Sequence, residues 1–337
     1  MAEKNRKPKK AAEGRVHKYT MIVFAVMFFL SLGIYLNEKV FKLEFIPTTA
    51  EIVAAIGGGN NSTVSVADGE IAVYFLDVGQ GDCELIVAGD TRVLIDSGER
   101  VFSDRVIRYI SQLGFRRLDY VIATHPHEDH IGGMPDILNE FSIGKIIMPE
   151  IPDSIMPTGG NFEEMLNVIS RKEIDAEYSY VGMKLELGAG AVLEILSPVH
   201  DDYSSLNNFS IACRLVHGER SFLFTGDIER AAESDIVNSG EYIRSDVLKV
   251  AHHGSTSSST PAFLEAVKPE YAVICVGEGN SYGHPKTEVL NRLWEIGCKS
   301  LYTTMAHGNI VFVSDGNTLT VHTDRYSPDS EETEEAA

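Results

Sequence analysis

The sequence predicts a mixed α/β domain in which two β-sheets pack together and helices cover both outer faces. From about residue 70 onward, short runs rich in β-branched and aromatic residues alternate with stretches of helical periodicity. A single uncharged apolar stretch precedes this region. Two mixed sheets, each faced by helices, would bury all of the predicted strands in a chain of 337 residues.

The predicted elements follow a similar order in both halves of this region. The first half is expected to contain a helix over 104–113 and strands over 72–78, 83–88, 92–96 and 119–124. The second half is expected to contain helices near 229–237, 260–267 and 286–296, and strands near 193–197, 210–216, 221–225, 246–251 and 271–276. The two halves share the order of their predicted elements, and the sequence shows no repeat of short period.

The first 36 residues have the composition of a membrane anchor. Residues 1–18 contain seven Lys or Arg and two Glu, and residues 19–36 are uncharged, apolar and about long enough to cross a bilayer. The positive-inside rule places the N-terminus in the cytoplasm and the domain outside the cell. A cleaved signal peptide and a buried core helix are the alternative interpretations. We therefore expect a single-pass protein of the cell membrane with an extracellular catalytic domain.

Three further segments follow the apolar stretch. Residues 37–69 include Pro47 and three glycines at 57–59, which is typical of a linker. Residues 70–323 form the predicted catalytic domain. Residues 324–337 are acidic and are predicted to be a disordered tail.

The chain is strongly acidic, which restricts the function classes that fit it. Its formal net charge is −20, and the basic first 18 residues leave −25 for the remainder. Such a body repels polyanions, so nonspecific nucleic-acid binding through a basic patch is not indicated. Because no C-x-x-C spacing occurs, we expect buried free thiols rather than a structural zinc site or a disulfide framework at Cys83, Cys213, Cys275 and Cys298.

The run H-P-H-E-D-H at 125–130 has the spacing of a metal-binding motif. His125 and His127 follow a predicted strand and alternate along extended backbone, so both imidazoles can bind one ion. Asp129 and His130 come where the chain turns into a helix, and they are expected to face a second ion. Crowded polar groups without partners are destabilising, so this arrangement indicates bound metal.

Two later segments supply further candidate ligands. Asp227 ends a predicted strand and either caps the next helix or bridges two cations, and the histidine motif favours the bridge. Consecutive strand residues point to opposite faces, so only one of His252 and His253 should reach the metals. We expect His253 to be that ligand and His284 to bind the second ion, while His252 either supports a ligand from behind or transfers a proton. The predicted catalytic residues are Asp129, Asp227 and His252.

The order of these motifs resembles a known family. The motifs are L-D-V-G-Q-G-D (76–82), L-I-D-S-G (94–98), T-H-P-H-E-D-H-I-G-G (124–133), F-T-G-D (224–227), H-H-G-S (252–255) and G-H-P (283–285). Over residues 70–323 the chain is similar to the metallo-β-lactamase superfamily, and within it to the hydrolase domain of the ComEC competence-protein group, which also resembles teichoic acid phosphorylcholine esterases. The resemblance implies a four-layered αββα fold, here preceded by one transmembrane helix. It also implies a two-metal site on His125, His127, Asp129, His130, Asp227, one of His252 and His253, and His284.

The sequence departs from the family in two respects. Many members have a further histidine between the H-x-H-x-D-H motif and the bridging aspartate, where this chain offers only His200 and His217. His217 lies in a predicted hairpin turn, so we expect the H-H-G-S histidine to replace that ligand while Asn207 or Asn208 shapes the site. The chain also has one apolar span where the competence protein has many, so it cannot itself transport DNA.

Two divalent ions would activate a water molecule and polarise an electrophile, so the expected reaction is a hydrolysis. Zinc suits a histidine and carboxylate set that lacks cysteine, and manganese is the alternative. Asp82 and Asp96 are candidates to orient the ligand imidazoles, although turn and cap roles are equally consistent with their positions. The candidate hydrogen-bond donors to a phosphoryl oxygen are Ser255, Asn280 and Tyr282.

The bond that is cut is predicted to be a phosphodiester, because a pair of dications can bind an anionic phosphoryl group even within an acidic protein. The family resemblance points to nucleic acid or a cell-envelope polymer. The fold alone also allows an amide, ester or lactam hydrolase. A non-catalytic envelope-binding domain is a further alternative, but a purely structural zinc needs no bridging ligand.

Overall fold

The computed structural model describes residue 64, residues 66–158 and residues 160–325 of the chain. The predicted basic segment and apolar span lie outside the described residues, as do most of the predicted linker and most of the acidic tail. Within the described ranges, no helix combines the length and the apolar character that crossing a membrane requires.

The described residues contain two β-sheets. The first sheet has eight strands in the order β15-β14-β1-β2-β3-β4-β5-β6. Its strands are β1 (Ile71–Phe75), β2 (Glu84–Ala88), β3 (Thr91–Ile95), β4 (Arg117–Ile122), β5 (Ser142–Met148), β6 (Asp175–Tyr178), β14 (Ile310–Ser314) and β15 (Leu319–Thr323). From β3 to β6 neighbouring strands are parallel, and the remaining pairs are antiparallel.

The second sheet has seven strands in the order β13-β12-β11-β10-β9-β8-β7. They are β7 (Lys184–Glu186), β8 (Val192–Ile195), β9 (Cys213–His217), β10 (Arg220–Phe224), β11 (Val247–Lys249), β12 (Tyr271–Ile274) and β13 (Ser300–Thr303). The pairs from β10 to β13 are parallel, whereas β7 to β10 pair in antiparallel fashion.

Three hydrophobic clusters hold the layers together. The largest lies between the sheets, where Phe222 packs edge-on against Phe312 with ring centroids 6.0 Å apart. The two outer clusters join each sheet to its helices. The helices on the first sheet are Ser103–Gln112, Met134–Glu140 and Gly160–Lys172; those on the second are Arg230–Asn238, Pro261–Val267 and Thr287–Glu295. The predicted two-sheet sandwich with helices on both outer faces is confirmed. Two single-turn helices, Glu128–Ile131 and Thr304–His307, lie outside this set.

The predicted elements are present, with boundaries that move by a few residues. The structure also contains β5, β6, β7 and β13 to β15, and the helices over 134–140 and 160–172, which sequence periodicity did not indicate. β6 is a sheet edge in which three of the four residues are exposed, so its sequence, D-A-E-Y, lacks an apolar strand pattern. The strand predicted near 246–251 ends at Lys249, because the chain turns sharply at Ala251–Gly254.

The sheet topology brings the candidate site residues to one edge of the sandwich. β4 ends three residues before His125, β10 ends three residues before Asp227, and β11 ends three residues before His252. Parallel strands end at the same side of a sheet, so the turns that follow them meet there. Both sheets therefore contribute residues to a single cleft.

We expect Phe222→Ala to lower the free energy of unfolding by about 3–5 kcal/mol, because it opens a cavity in the core that both sheets share. The side chain is fully buried. Urea unfolding monitored by circular dichroism measures the change. Val101→Ala is the control, since that side chain is 75% exposed. A loss below about 1 kcal/mol for Phe222→Ala would contradict a common core between the sheets.

Candidate metal centre

The H-P-H-E-D-H segment changes from extended to helical backbone within its six residues. His127 is extended and precedes the short helix Glu128–Ile131, which carries Asp129 and His130. The loop after β1 packs closely beneath this turn, where the Asp82 backbone N–H donates to the Asp129 carbonyl at 3.1 Å. A Cβ at Gly81 would collide with that same carbonyl, so only glycine permits this approach.

Asp227 lies between two pairs of imidazoles and is 2% exposed. Its Oδ1 is 3.2 Å from His130 Nε2 and 3.6 Å from His253 Nε2. Its Oδ2 is 3.7 Å from His252 Nε2 and 4.0 Å from His125 Nε2. Each carboxylate oxygen thus faces a different pair of histidines, which is the arrangement expected of a ligand shared by two ions.

The Oδ1 side of Asp227 forms a compact cluster of four potential ligands. The ligand atoms of Asp129, His130, Asp227 and His253 lie within 4.8 Å of one another. His130 Nε2, Asp227 Oδ1 and His253 Nε2 are buried and have no hydrogen-bond partner. Unpaired buried polar atoms are costly, and a divalent ion would satisfy all of them together. The residues present therefore fit a metal.

The Oδ2 side of Asp227 is built by His125, His127 and His252. His125 Nε2 and His127 Nδ1 are 2.9 Å apart, so both rings converge on one point. Burial lowers the pKa of His125 well below its usual value, and the nearby charge of His130 lowers it further. Burial also lowers the pKa of His127. Both imidazoles are therefore neutral, which is the form that binds a metal.

The outer nitrogen of His130 is held by a carboxylate, as the sequence suggested. Asp96 Oδ2 is 2.7 Å from His130 Nδ1, and it accepts a second hydrogen bond from Thr124 Oγ1 at 2.6 Å. Asp96 is in the left-handed region with φ 55°, which turns its side chain toward the motif. His253 Nδ1 donates to the Cys275 carbonyl at 2.8 Å, and Asp82 Oδ1 lies 3.4 Å from the same nitrogen. Asp96 therefore makes the predicted contact with a candidate ligand imidazole, whereas Asp82 lies beside His253 and His130 without a hydrogen bond to either.

The backbone at H-H-G-S is a turn rather than the extended strand from which the choice between its two histidines was argued, and the choice of His253 as the ligand stays a prediction. His252 and His253 both adopt left-handed backbone, with φ of 51° and 53°, in a tight turn after β11. Strand alternation does not apply to such a turn, so both Nε2 atoms reach Asp227. His252 Nδ1 is held by Ser257 Oγ at 3.1 Å. The Nε2 atoms of His252 and His125 thus lie near one oxygen of Asp227, and those of His253 and His130 lie near the other.

His284 lies at the edge of the centre, and its predicted role as a ligand of the second ion stays a prediction. It does not belong to the four-residue cluster of Asp129, His130, Asp227 and His253. Its ring lies instead 6.0 Å from the ring of His252, at the wall of the cleft. Burial lowers the pKa of His284 to about 4, and the neighbouring His252 adds to the effect.

The three predicted substrate contacts lie in different environments. Tyr282 is 62% exposed, lines the cleft and stacks on His284 at an interplanar angle of 8°. The Asn280 amide N–H donates to the Gly277 and His284 carbonyls, and its oxygen accepts from the His284 N–H, so Asn280 braces the loop while its contact with substrate stays a prediction. Ser255 Oγ pairs with Ser257 Oγ at 3.0 Å, and its contact with substrate also stays a prediction.

Residues around the missing family histidine behave as expected. His217 is bonded to Ser314 Oγ at 3.0 Å and His200 is exposed, so neither approaches the centre. Asn207 lines the cleft. Asn208 Oδ1 accepts from the Glu229 and Ala232 N–H groups and caps the helix Arg230–Asn238. All four cysteines are buried and free, as predicted.

Sequence reasoning missed two buried charged residues beneath the centre, Lys249 and Glu84. Both lie inside strands and are at most 2% exposed. Each lies as a single charged residue inside an apolar run, Lys249 in D-V-L-K-V-A and Glu84 in C-E-L-I-V-A. A charge in such a run is the sequence signal that could have indicated a buried ion pair.

The comparison with protein families agrees with this geometry. Residues 76–278, more than half of the chain, match the Metallo-beta-lactamase superfamily. The chain belongs to this superfamily. Membership and the His/Asp cluster together indicate a metal-dependent hydrolase whose metal is a divalent ion.

Two bacterial proteins are similar to this superfamily member over about two thirds of its length. The chain is 30% identical over 245 residues to ComE operon protein 3 of Bacillus subtilis (strain 168), which covers 67% of this chain and 31% of that protein. It is 31% identical over 244 residues to Competence protein ComA of Neisseria gonorrhoeae, which covers 72% of this chain and 32% of that protein. The matched region spans about a third of each relative, and the predicted similarity to the ComEC group is confirmed.

A solved structure shares the fold of this superfamily member. The metallo-beta-lactamase fold protein YhfI from Bacillus subtilis superposes with a TM-score of 0.50, covering 72% of this chain and 100% of that chain at 13% identity. At that identity the likeness shows the fold alone.

We expect the metal-free protein to lose stability as the pH rises from 6.5 toward 10. Burial alone would lower the pKa of His253, but Asp227 and Asp82 raise it from 6.5 to about 10. A group whose pKa is raised by folding stabilises the protein below its unfolded pKa, and that stability is lost as the pH passes its folded pKa. Melting temperatures of chelator-treated protein measure this dependence.

His253→Gln is the control for that experiment, because it removes the titrating group and should flatten the pH dependence in this window. A wild-type melting temperature that stays constant or rises between pH 6.5 and 10 would show that His253 is not protonated among these carboxylates.

Proposed function

We propose that this protein is a dinuclear metal-dependent phosphodiesterase that acts on nucleic acid or on a cell-envelope phosphodiester. The observation that carries the proposal is the position of Asp227, whose two oxygens face two separate pairs of histidines. A carboxylate placed in this way can serve two ions at once.

The ligands divide into two sets that share Asp227. One ion would be held by His125, His127 and His252, and the other by Asp129, His130 and His253. Zinc is the metal we favour for this mixture of imidazole and carboxylate ligands, and manganese is the alternative. When bound, such a pair supplies a nucleophilic water and stabilises negative charge on the group attacked.

His252 is held in place by neighbouring side chains, and two other residues line the cleft where substrate would bind. His252 is half-buried, with Nδ1 3.1 Å from Ser257 Oγ and 3.6 Å from Glu229 Oε1. These contacts hold its ring toward Asp227 at the edge of the cleft. Asn207 and Tyr282 line the same cleft and can donate hydrogen bonds to a bound substrate.

A phosphodiester substrate is favoured over a neutral one by the charge of the site. The body of the protein is acidic, so an anion is not attracted from a distance. At the cleft, a pair of divalent ions would reverse the local sign and bind a phosphoryl group. The competence proteins among the relatives support nucleic acid as the first substrate class to test, although the chain covers only about a third of their length.

We expect metal-dependent hydrolysis of bis(p-nitrophenyl) phosphate and of single-stranded or double-stranded DNA, with little turnover of nitrocefin. The panel is run after adding zinc or manganese to protein prepared without chelators, with metal content measured in parallel. Turnover of nitrocefin alone would indicate an amide or lactam hydrolase. Bound metal without any turnover would support a non-catalytic binding domain instead.

The same panel includes Asp227→Asn, which is nearly isosteric but should abolish turnover and lower the metal content, because both ions lose a charged ligand. The matched control is Asp201→Asn, since Asp201 is an exposed carboxylate. Near-normal turnover by Asp227→Asn, with circular dichroism showing an intact fold, would mean that the two-metal mechanism is wrong.

We also propose that residues 19–36 anchor the protein in the cell membrane with the hydrolase domain outside. The support is the order of charges in the sequence, with the basic residues 1–18 before the apolar stretch and the acidic chain after it. A substrate in the cell envelope or outside the cell would then be accessible to the enzyme.

Protease added to intact cells should release or degrade the catalytic domain while a cytoplasmic marker protein stays intact. Immunodetection with an antibody against the domain measures its loss. A domain that is protected in intact cells and cleaved only after lysis would place it in the cytoplasm, opposite to the proposal.

A further inference from the structure

A buried lysine lies directly beneath the candidate metal centre. Lys249 is the last residue of β11 and is 1% exposed. Its ammonium group forms an ion pair with Asp82 and donates a hydrogen bond to the Gly226 carbonyl at 3.0 Å. A fully buried lysine is rare and costly unless it is paired, so its surroundings require an explanation.

The groups around Lys249 include side chains that elsewhere bind metals. Asp82, Glu84 and Cys275 are buried and bring potential ligand atoms together. Burial and the charge of Asp82 raise the pKa of Glu84 well above its usual value, so this carboxyl is neutral. Burial would lower the pKa of Lys249, but Asp82 and Asp227 raise it. Lys249 is therefore the resident cation of this cluster, and Asp82 is its charged partner.

Asp82 connects Lys249 to two histidines of the metal centre. Its Oδ1 is 3.4 Å from His253 Nδ1, and its Oδ2 is 3.7 Å from His130 Nδ1. Its backbone N–H also donates to the Asp129 carbonyl at 3.1 Å. Any movement of the Asp82 side chain therefore alters the surroundings of both imidazoles.

The second contact of Lys249 leads to the shared carboxylate. Gly226 immediately precedes Asp227 and has a φ of 49°. Its carbonyl is held by Lys249 Nζ and also accepts the His252 N–H at 3.1 Å. The Lys249 ammonium group thus contacts both Asp82, which lies behind His253, and the Gly226 carbonyl, which belongs to the peptide bond before Asp227.

We infer that Lys249 is a positioning residue for the metal site formed by Asp129, His130, Asp227 and His253. It holds Asp82 behind the His253 imidazole and fixes the Gly226 peptide from which Asp227 extends. The inference rests on the proposed metal centre, but it concerns residues that do not themselves bind the ions. Groups behind metal ligands commonly change metal affinity when they are altered.

The experiment is a calorimetric zinc titration of the metal-free full chain, comparing the wild type with Lys249→Met. Methionine keeps the unbranched apolar stem and removes the charge. We expect zinc binding at the cluster site to lose about 10-fold to 100-fold in affinity, because Asp82 lies behind His253. The site of His125 and His127 should weaken less, because it shares Asp227 and the Gly226 peptide but not the contact with Asp82. Lys299→Met is the matched control, because Lys299 belongs to a surface ion pair with Glu270.

A double variant separates positioning from folding. Lys249→Met leaves the buried charge of Asp82 unpaired, so its melting temperature is expected to fall, whereas adding Asp82→Asn should restore much of that loss. The double variant, with its melting temperature restored, should still bind zinc weakly at the site formed by Asp129, His130, Asp227 and His253. If either variant binds two zinc ions with wild-type affinities, Lys249 does not position the site and the inference is overturned. A wild-type chain that binds no zinc would overturn the two-metal proposal together with this inference, and the two failures are distinguished by the wild-type titration.

Discussion

The buried carboxylate of Asp227 is the constraint on which the architecture of the site depends. A charged group removed from water is strongly destabilising unless other charges or hydrogen bonds compensate it. Four imidazoles meet this need, and they arrive from the turns after β4 and β11. Those turns come together only because the parallel strands of both sheets end at one edge of the sandwich. The layered fold thus places compensating groups around one charge.

Each compensating imidazole is in turn held from behind, which makes the centre a network rather than a set of ligands. Asp96 restrains His130, the Cys275 carbonyl restrains His253, and Ser257 restrains His252. These contacts fix ring orientation before any ion binds, so little reorganisation is left for binding itself. The acidic exterior acts differently, because its charges are screened by salt over distances of about 8–10 Å.

The sequence predicts those parts of the site whose residues lie close together along the chain or directly follow a strand. The H-P-H-E-D-H run and the strand-end Asp227 were predicted to meet, and the strand expected over 221–225 corresponds to Arg220–Phe224. The turn at H-H-G-S could not be predicted, because a left-handed backbone at two histidines leaves no local pattern in the sequence. Lys249 was missed because its partner, Asp82, lies in a remote part of the chain. Edge strands such as β6 were missed because exposed residues interrupt their apolar pattern.

The pairing of β14 with β1 has a consequence for how the protein is made. β1 is an internal strand of the first sheet, and one of its two neighbours, β14, lies near the far end of the described chain. At about 5–20 residues per second, a ribosome needs roughly 10–50 s to synthesise the stretch between them. During that interval one side of β1 has no partner, although β2 is already available. The nascent chain therefore exposes an unpaired apolar strand edge at β1. That edge can pair with other chains until β14 is synthesised, so it needs shielding during this interval.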